Sequence, residues 1–433
     1  MEKLDLTKEI KELELKNIHI WCEDNQLKFK APKGAVTPEI KEFLINRKED
    51  FIVFLNNNNK LLTFLEDEGA RYEKFPLNDI QNSYVMGRSN TYELGGVACH
   101  GYLEVEFDEE IDPKLLERAW NKVIAKHDML RAIVFDVGYQ IIQESVPYVD
   151  VKCIDLNNGA DKSEVEALRT ELCDKQYELG KWPMCDLAVS LEGKKSIVYF
   201  SLDMLIADFL SMNLILNDLE KYYRDIDAPR DKTIRYRDVI LYQDRLKKIT
   251  SHAKREAENY WEAKLPTMGE AADVPVIKKI GIETSSFTQK KVFFEKEKWE
   301  KLCKVAKDNQ VTASVLVLSA LSEVVARWSG NDKFCINSTM FTRPLEVEGV
   351  NDVVGDFTDV NITSIDIDHN KTFLERVQKI QNDLWDDLEH NQISGVEVLR
   401  RLTKYKKKNV IIPVVFTSTL GLASSDDATV KRN

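Results

Sequence analysis

Residues 201–212, SLDMLIADFLSM, decide how this chain is read. They follow an apolar run, residues 196–200, whose composition predicts a short strand, and they place Asp203, Asp208 and Ser211 where the next helix begins. Two readings of this Asp-x4-Asp-x2-Ser pattern stand at this point. Asp208 can be the N-cap of the helix, with Ser211 in its first turn. Alternatively, the three polar residues belong to a site. On a regular helix the two aspartates, five apart, would point roughly 140° from each other, so any shared role requires a strand-to-helix turn between them.

The bulk composition narrows the field. The chain has 433 residues, with 61 Lys and Arg against 73 Asp and Glu and a net charge of −12. That length supports a large core and more than one domain. The acidic balance argues against a nucleic-acid binder, which carries a clustered basic surface. No apolar run is long enough to cross a bilayer, and the opening MEKLDLTKEIKELELK lacks the apolar core of a signal peptide. The chain is read as cytoplasmic, with neither nucleic acid nor membrane as a partner. Its seven cysteines form no C-x-x-C pair and its six histidines no H-x-x-x-H, so neither a zinc ribbon nor a dithiol is indicated. Cys303 and Cys335 read as buried small hydrophobes.

Along the chain, residues 1–55 form a first unit. Leu4, Ile10, Leu13 and Leu15 predict a short amphipathic helix. HIWCEDNQLKFKAP reads as a hairpin turning near residues 23–26. Thr37-Pro38 announces a second helix, residues 39–55. Asn56 to Asn59 break that pattern, and residues 56–74 read as a connector. From Phe75 the pattern is mixed α and β: a half-buried strand at residues 103–107, a helix opened by Asp112-Pro113, a strand at 132–135, and a buried helix at 312–328.

Residues 75–88, FPLNDIQNSYVMGR, resemble the F-P-L-T-x-x-Q-x-A-Y-x-x-G-R motif that opens heterocyclization domains of nonribosomal peptide synthetases, with Asn78 for Thr and Ser83 for Ala. KHDMLRA (126–132) resembles the second motif, and the Asp203–Asp208–Ser211 segment the third. Ordinary condensation domains of the same superfamily have H-H-x-x-x-D-G there, so Asp203 stands where a histidine is expected, with no histidine nearby in the sequence to serve as base. Tyr260-Trp261 with Leu265-Pro266, VVGDFTD (353–359, Asp359 replacing Ser), ISGVEVLR (393–400) and PVVFTSTLG (413–421) continue the resemblance in order. The first unit resembles a TubC-type N-terminal docking domain.

This resemblance implies a two-lobed α/β fold like that of chloramphenicol acetyltransferase. The expected domains are docking at 1–55, connector at 56–74, N-terminal lobe at 75–250 and a truncated C-terminal lobe at 251–433. It implies carrier proteins on both sides, presenting thioesters on 4'-phosphopantetheine, and an upstream subunit whose C-terminal tail docks on the hairpin. No directly bound metal or redox cofactor is expected. Lys28, Lys30 and Lys33 are either that docking surface or solvated charges on an edge strand.

The implied reaction forms an amide between the upstream acyl group and a Cys, Ser or Thr thioester, then closes the side chain onto that amide with loss of water. Two weaker alternatives are amide formation alone and a noncatalytic docking or carrier-binding protein. Positioning supplies much of the first step; the second needs proton donation and removal. The resemblance assigns the second step to Thr417 and to an Asp in a later Q-T-P-Q-x-x-L-D-H-Q motif. No such motif occurs before Asn433, and the chain is therefore read as a fragment or early-terminated subunit. Asp203, Asp208 and Ser211 are the remaining catalytic candidates. Arg343 is expected to pair with Asp208, a buried carboxylate needing a partner, and Asp356 to be structural.

Overall fold

The computed structural model describes residues 18–23, 26–32, 35–52, 54–55, 64–89, 95–248, 252–275, 290–420 and 431–432, with 6, 9 and 13 singly. Lys33 and residues 56–63 lie outside these. The chain divides into two compact units, one of residues 1–66 and 241–249, the other of residues 67–240 and 250–433.

In the first unit the hairpin forms from strands His19–Glu23 and Gln26–Lys30, paired antiparallel with Ile20 opposite Phe29 and Glu23 opposite Gln26. Helix Pro38–Asn46 starts as its sequence requires: Thr37 accepts the Ile40 N–H and proline, with no N–H to satisfy, takes the first turn. It does not run unbroken to residue 55. It ends at Arg47, which leaves helical geometry (φ −107°, ψ 12°) while its guanidinium bonds Asp50 and Glu9. Leu13, Ile18, Leu44 and Phe51 are buried together, with Phe43 and Phe51 edge to face.

In the second unit a five-stranded sheet runs in the order Lys431–Arg432, His100–Phe107, Lys195–Asp203, Cys185–Glu192, Lys152–Asp155. Alternation along the Lys195–Asp203 strand assigns its two faces. Phe200 packs against Trp120 of helix Pro113–Lys126, with rings 5.8 Å apart, while Tyr199 joins Val165, Leu168 and Leu172 of helix Lys162–Cys173. The strand is longer than residues 196–200, so Asp203 is its last residue rather than part of the following turn.

A second sheet is built on strand Lys333–Phe341, antiparallel to Thr358–Asp366 and parallel to Val415–Phe416 and Glu270–Ala271. Phe334 and Ile336 face helices Ala313–Ser329 and Phe373–Glu389. Cys335 and Ile362 face Trp261, Val398 and Leu402 on the other side. A two-residue period thus makes two cores from one strand pair. This arrangement of two sheets, each covered by helices, is the expected two-lobed α/β fold.

Three expectations change in detail. The stretch read as a connector is anchored at Arg71, which forms a two-pronged pair with Asp128 at 2.6 and 3.0 Å, while most of residues 67–74 are exposed. Helix Ala313–Ser329 is not buried all round: Val317, Val324 and Trp328 are exposed. Cys335 is buried, but Cys303 is only half-buried, on a helix whose polar face meets water.

Candidate active site

Asp208 closes a ring of contacts across the two sheets. It is extended (φ −88°, ψ 179°) and caps helix Phe209–Arg224, its Oδ1 accepting the Ser211 N–H at 2.7 Å. The same carboxylate receives Arg343 Nη2 at 3.0 and 3.1 Å and the Phe357 N–H at 3.3 Å. The N-cap reading of Asp208 is therefore correct, and the same carboxylate also bonds residues beyond its helix. Arg343 is the partner expected for it. Its Nη1 donates to the carbonyls of Val350 and Val353, and its guanidinium lies 4.4 Å from the Phe357 ring centre. Ser211 Oγ accepts from Gly355 N–H and Arg343 Nη2 and donates to the Gly355 carbonyl. Both oxygens of the Asp208 carboxylate are engaged, as a buried charge requires.

Asp203 is equally buried but differently held. Its Oδ2 pairs with Arg88, the last residue of the first motif, and its Oδ1 accepts the Leu205 N–H at 3.0 Å. Arg88 also donates to the Tyr177 carbonyl at 2.6 Å. Burial pushes the Asp203 carboxyl up from its ordinary value, and Arg88 opposes this. Arg88 was visible in the sequence as a motif arginine, but its partner 115 residues away was not. His100 lies directly opposite Asp203 in the sheet register, and its Nε2 contacts Ser201 Oγ at 2.8 Å. The sequence hides this because strand pairing, not spacing, creates it. Burial lowers the His100 pKa.

The first motif supplies the seam between the sheets. Asn78 and Gln81 cap helix Asp79–Gly87 reciprocally. Asn78 Nδ2 then reaches the Asp356 carbonyl at 2.8 Å and Tyr236 Oη at 3.2 Å, so the amide standing in place of Thr bridges to the second sheet. Gln81 Nε2 donates to the Leu205 carbonyl at 2.6 Å, tying the motif to the Asp203–Asp208 loop. Gly355 must be glycine here, because a Cβ would overlap the Tyr236 ring. Asp356 is fully buried. Its Oδ1 accepts the Thr358 N–H, its Oδ2 makes no hydrogen bond, and burial pushes its carboxyl up to about 8.

Thr417 sits apart from this ring. It is exposed just after strand Val415–Phe416, and its Oγ1 lies 2.9 Å from Thr339 Oγ1. In the antiparallel register Thr339 faces Val360 and Phe341 faces Thr358, so Thr339 and Thr358 are diagonal neighbours on one sheet face. Such neighbours lie roughly 7–8 Å apart. Lys28 is exposed on the second hairpin strand, Lys30 ends that strand, and Lys33 lies outside the described residues. Among the described residues, no group of three or more His, Cys, Asp or Glu is arranged to hold a metal ion. No single helix among them is long and apolar enough to cross a membrane.

The family described as Condensation domain matches residues 72–431. The chain belongs to the condensation-domain family. Residues 7–57 match the TubC N-terminal docking domain. This condensation domain is 28% identical over 413 residues to pyochelin synthetase PchF of Pseudomonas aeruginosa, covering 94% of the chain but 22% of that protein. It is 31% identical over 365 residues to phenyloxazoline synthase MbtB of Mycolicibacterium paratuberculosis, covering 82% of the chain and 30% of the relative. The chain thus spans less than a third of either relative's length. The cyclization-docking bidomain of the EpoB nonribosomal peptide synthetase from Sorangium cellulosum superposes with a TM-score of 0.75 at 28% identity, over 96% of this chain and 84% of that one. The likeness to that bidomain covers both units of this chain.

Proposed function

We propose that the chain is a heterocyclization module of a nonribosomal peptide or hybrid synthetase. It condenses an acyl or peptidyl thioester with a Cys, Ser or Thr thioester, both carried on phosphopantetheine, and cyclodehydrates the amide to a thiazoline or oxazoline. The observation that carries this reading is the fate of the two motif carboxylates. Asp203 is paired with Arg88 and Asp208 with Arg343, both carboxylates fully buried, so neither is a free base for the amine.

Amide formation then rests on positioning, since a thioester is already a good acyl donor. Asp203, Asp208 and Ser211 serve the reaction by holding the seam on which the substrates meet, and Arg343 and Asp356 support them. Thr417, exposed and hydrogen-bonded to Thr339, is the group we assign to proton movement at the amide during ring closure.

We assign residues 1–55 to docking, 75–250 to the N-terminal lobe and 251–433 to the C-terminal lobe. The hairpin would receive an acidic tail from the preceding subunit along the strand that carries Lys28 and Lys30. Similarity to the two synthases named above and to a cyclization-docking bidomain supports these assignments.

The test is incubation of the chain with two loaded carrier proteins, followed by intact-mass measurement of the acceptor carrier. A product lighter than the amide by one water supports the proposal. Amide alone would make the chain a simple condensation enzyme, and carrier binding without turnover a docking protein.

A further inference from the structure

Ring closure asks more of Thr417 than its presence. A threonine hydroxyl carries one proton and two lone pairs and turns about its C–O bond, so it moves a proton efficiently only when something fixes its direction. The backbone around Thr417 is already fixed. Val415 and Phe416 pair in parallel with Asn337 and Ser338. Val414 and Phe416 pack against the core beneath helices Ala313–Ser329 and Phe373–Glu389. Ser418, on the same side two residues later, meets Ser314 Oγ of the first of these helices at 2.7 Å.

Alternation turns Val415 and Thr417 to the opposite face, where both are exposed. One step beyond the Ser338–Phe416 pair, the parallel register brings Thr339 beside Thr417, and their hydroxyls lie 2.9 Å apart. Thr339 is half-buried, and among the described residues its hydroxyl has no other hydrogen-bond partner. Thr358, its diagonal neighbour, leaves its own Oγ1 unbonded. The Thr339 hydroxyl is therefore committed to Thr417.

We propose that Thr339 is a positioning residue for ring closure. Its hydroxyl donates to Thr417 Oγ1, which occupies one lone pair there and leaves the Thr417 proton directed at the open face. Donation of this kind also polarises the second O–H and makes its proton easier to give. The inference rests on the heterocyclization reading and on the role assigned to Thr417 above.

In the step concerned, the acceptor's sulfur or oxygen bonds the amide carbon, the C–O bond breaks, and the nitrogen lone pair closes C=N. The departing oxygen leaves as water with two protons, one from the thiol or hydroxyl and one from the amide nitrogen. Thr417 gives one proton and takes one back, so no oxidant, reductant or co-reactant is needed. Thr339 acts only through Thr417.

The test measures amide and ring formation separately, by intact mass of a cysteine-loaded acceptor carrier in single turnover with an acyl-loaded donor. It uses the full chain as wild type, Thr339→Val, Thr339→Ser and Thr417→Ala. Valine keeps the branched shape that suits a strand and deletes only the hydroxyl. Thr339→Val is expected to slow ring closure about tenfold, the worth of one orienting hydrogen bond. Open amide then accumulates, because amide formation slows far less. Thr339→Ser restores the hydroxyl and is expected to recover most of the rate. A wild-type ring rate in Thr339→Val, an equal loss in both steps, or no recovery in Thr339→Ser would each overturn the positioning role while leaving heterocyclization intact. Ring closure unaffected by Thr417→Ala would overturn the assignment of Thr417 and this inference with it. A wild type that makes only amide would overturn the heterocyclization reading itself, and the inference with it.

Discussion

Arg343 and Asp208, 135 residues apart in sequence, meet at 3.0 Å with both side chains buried. This pair joins the segment after strand Lys333–Phe341 of the second sheet to the helix cap that follows the first, and it fixes Ser211 and Gly355 around it. The Asp-x4-Asp-x2-Ser segment is thus an architectural device before it is a chemical one.

Breaking that pair from either side leaves a buried charge unmatched. Arg343→Ala and Asp208→Ala should each destabilise the second unit by about 3–5 kcal/mol. Asp208→Ala also loses the helix cap, worth about 1 kcal/mol. Asp208→Asn keeps an acceptor for the Ser211 N–H and should cost less than Asp208→Ala. Urea unfolding measures all three. Wild-type midpoints for the alanine variants would show that the pair is not structural.

Arg88 and Asp203 make the second such pair. Arg88→Ala should strand Asp203, whose carboxyl burial already pushes up, and drive it towards its protonated form. The variant's stability should therefore fall more steeply with rising pH than the wild type's. Adding Asp203→Asn should recover part of the loss, a coupling that a double-mutant cycle reads directly. Strictly additive effects would mean the two side chains do not support each other.

Asp356 sets a sign for the whole domain. Its folded-state pKa of about 8 lies above the ordinary 3.8. Between those values the folded state binds more protons than the unfolded state, so this group's contribution weakens as pH rises. Asp356→Asn can accept the Thr358 N–H and carries no charge. Its stability should fall less than the wild type's between about pH 5 and pH 8. Parallel pH profiles from urea melts would contradict a buried, protonated Asp356.

Much of this was legible in the sequence. Thr37 and Asp112 announced their helices because capping is local, and the observed caps are those residues. That Asp208 needs a partner followed from its being a buried carboxylate, while the choice of Arg343 came from its position in the family resemblance. Long-range register was not legible. Nothing in the spacing of His100 and Asp203, or of Thr339 and Thr358, reveals that strand pairing makes them neighbours. The length of the Asp203 strand was also missed, because Ser201 and Asp203 read as polar while their side chains are held by Tyr177 and Arg88.

The docking unit makes its own prediction. Lys28 lies exposed on the hairpin. Lys28→Glu should weaken binding of an acidic peptide that reproduces a subunit tail by roughly 1 kcal/mol, less as salt is raised. Fluorescence anisotropy with a labelled peptide measures it. Unchanged affinity would move the partner contact away from this strand.

The most direct test of the central claim is the intact mass of a cysteine-loaded acceptor carrier after reaction with an acyl-loaded donor and the wild-type chain. The account predicts an acylated product lacking one water relative to the open amide. A product that stays at the amide mass, with carriers fully converted, would contradict it.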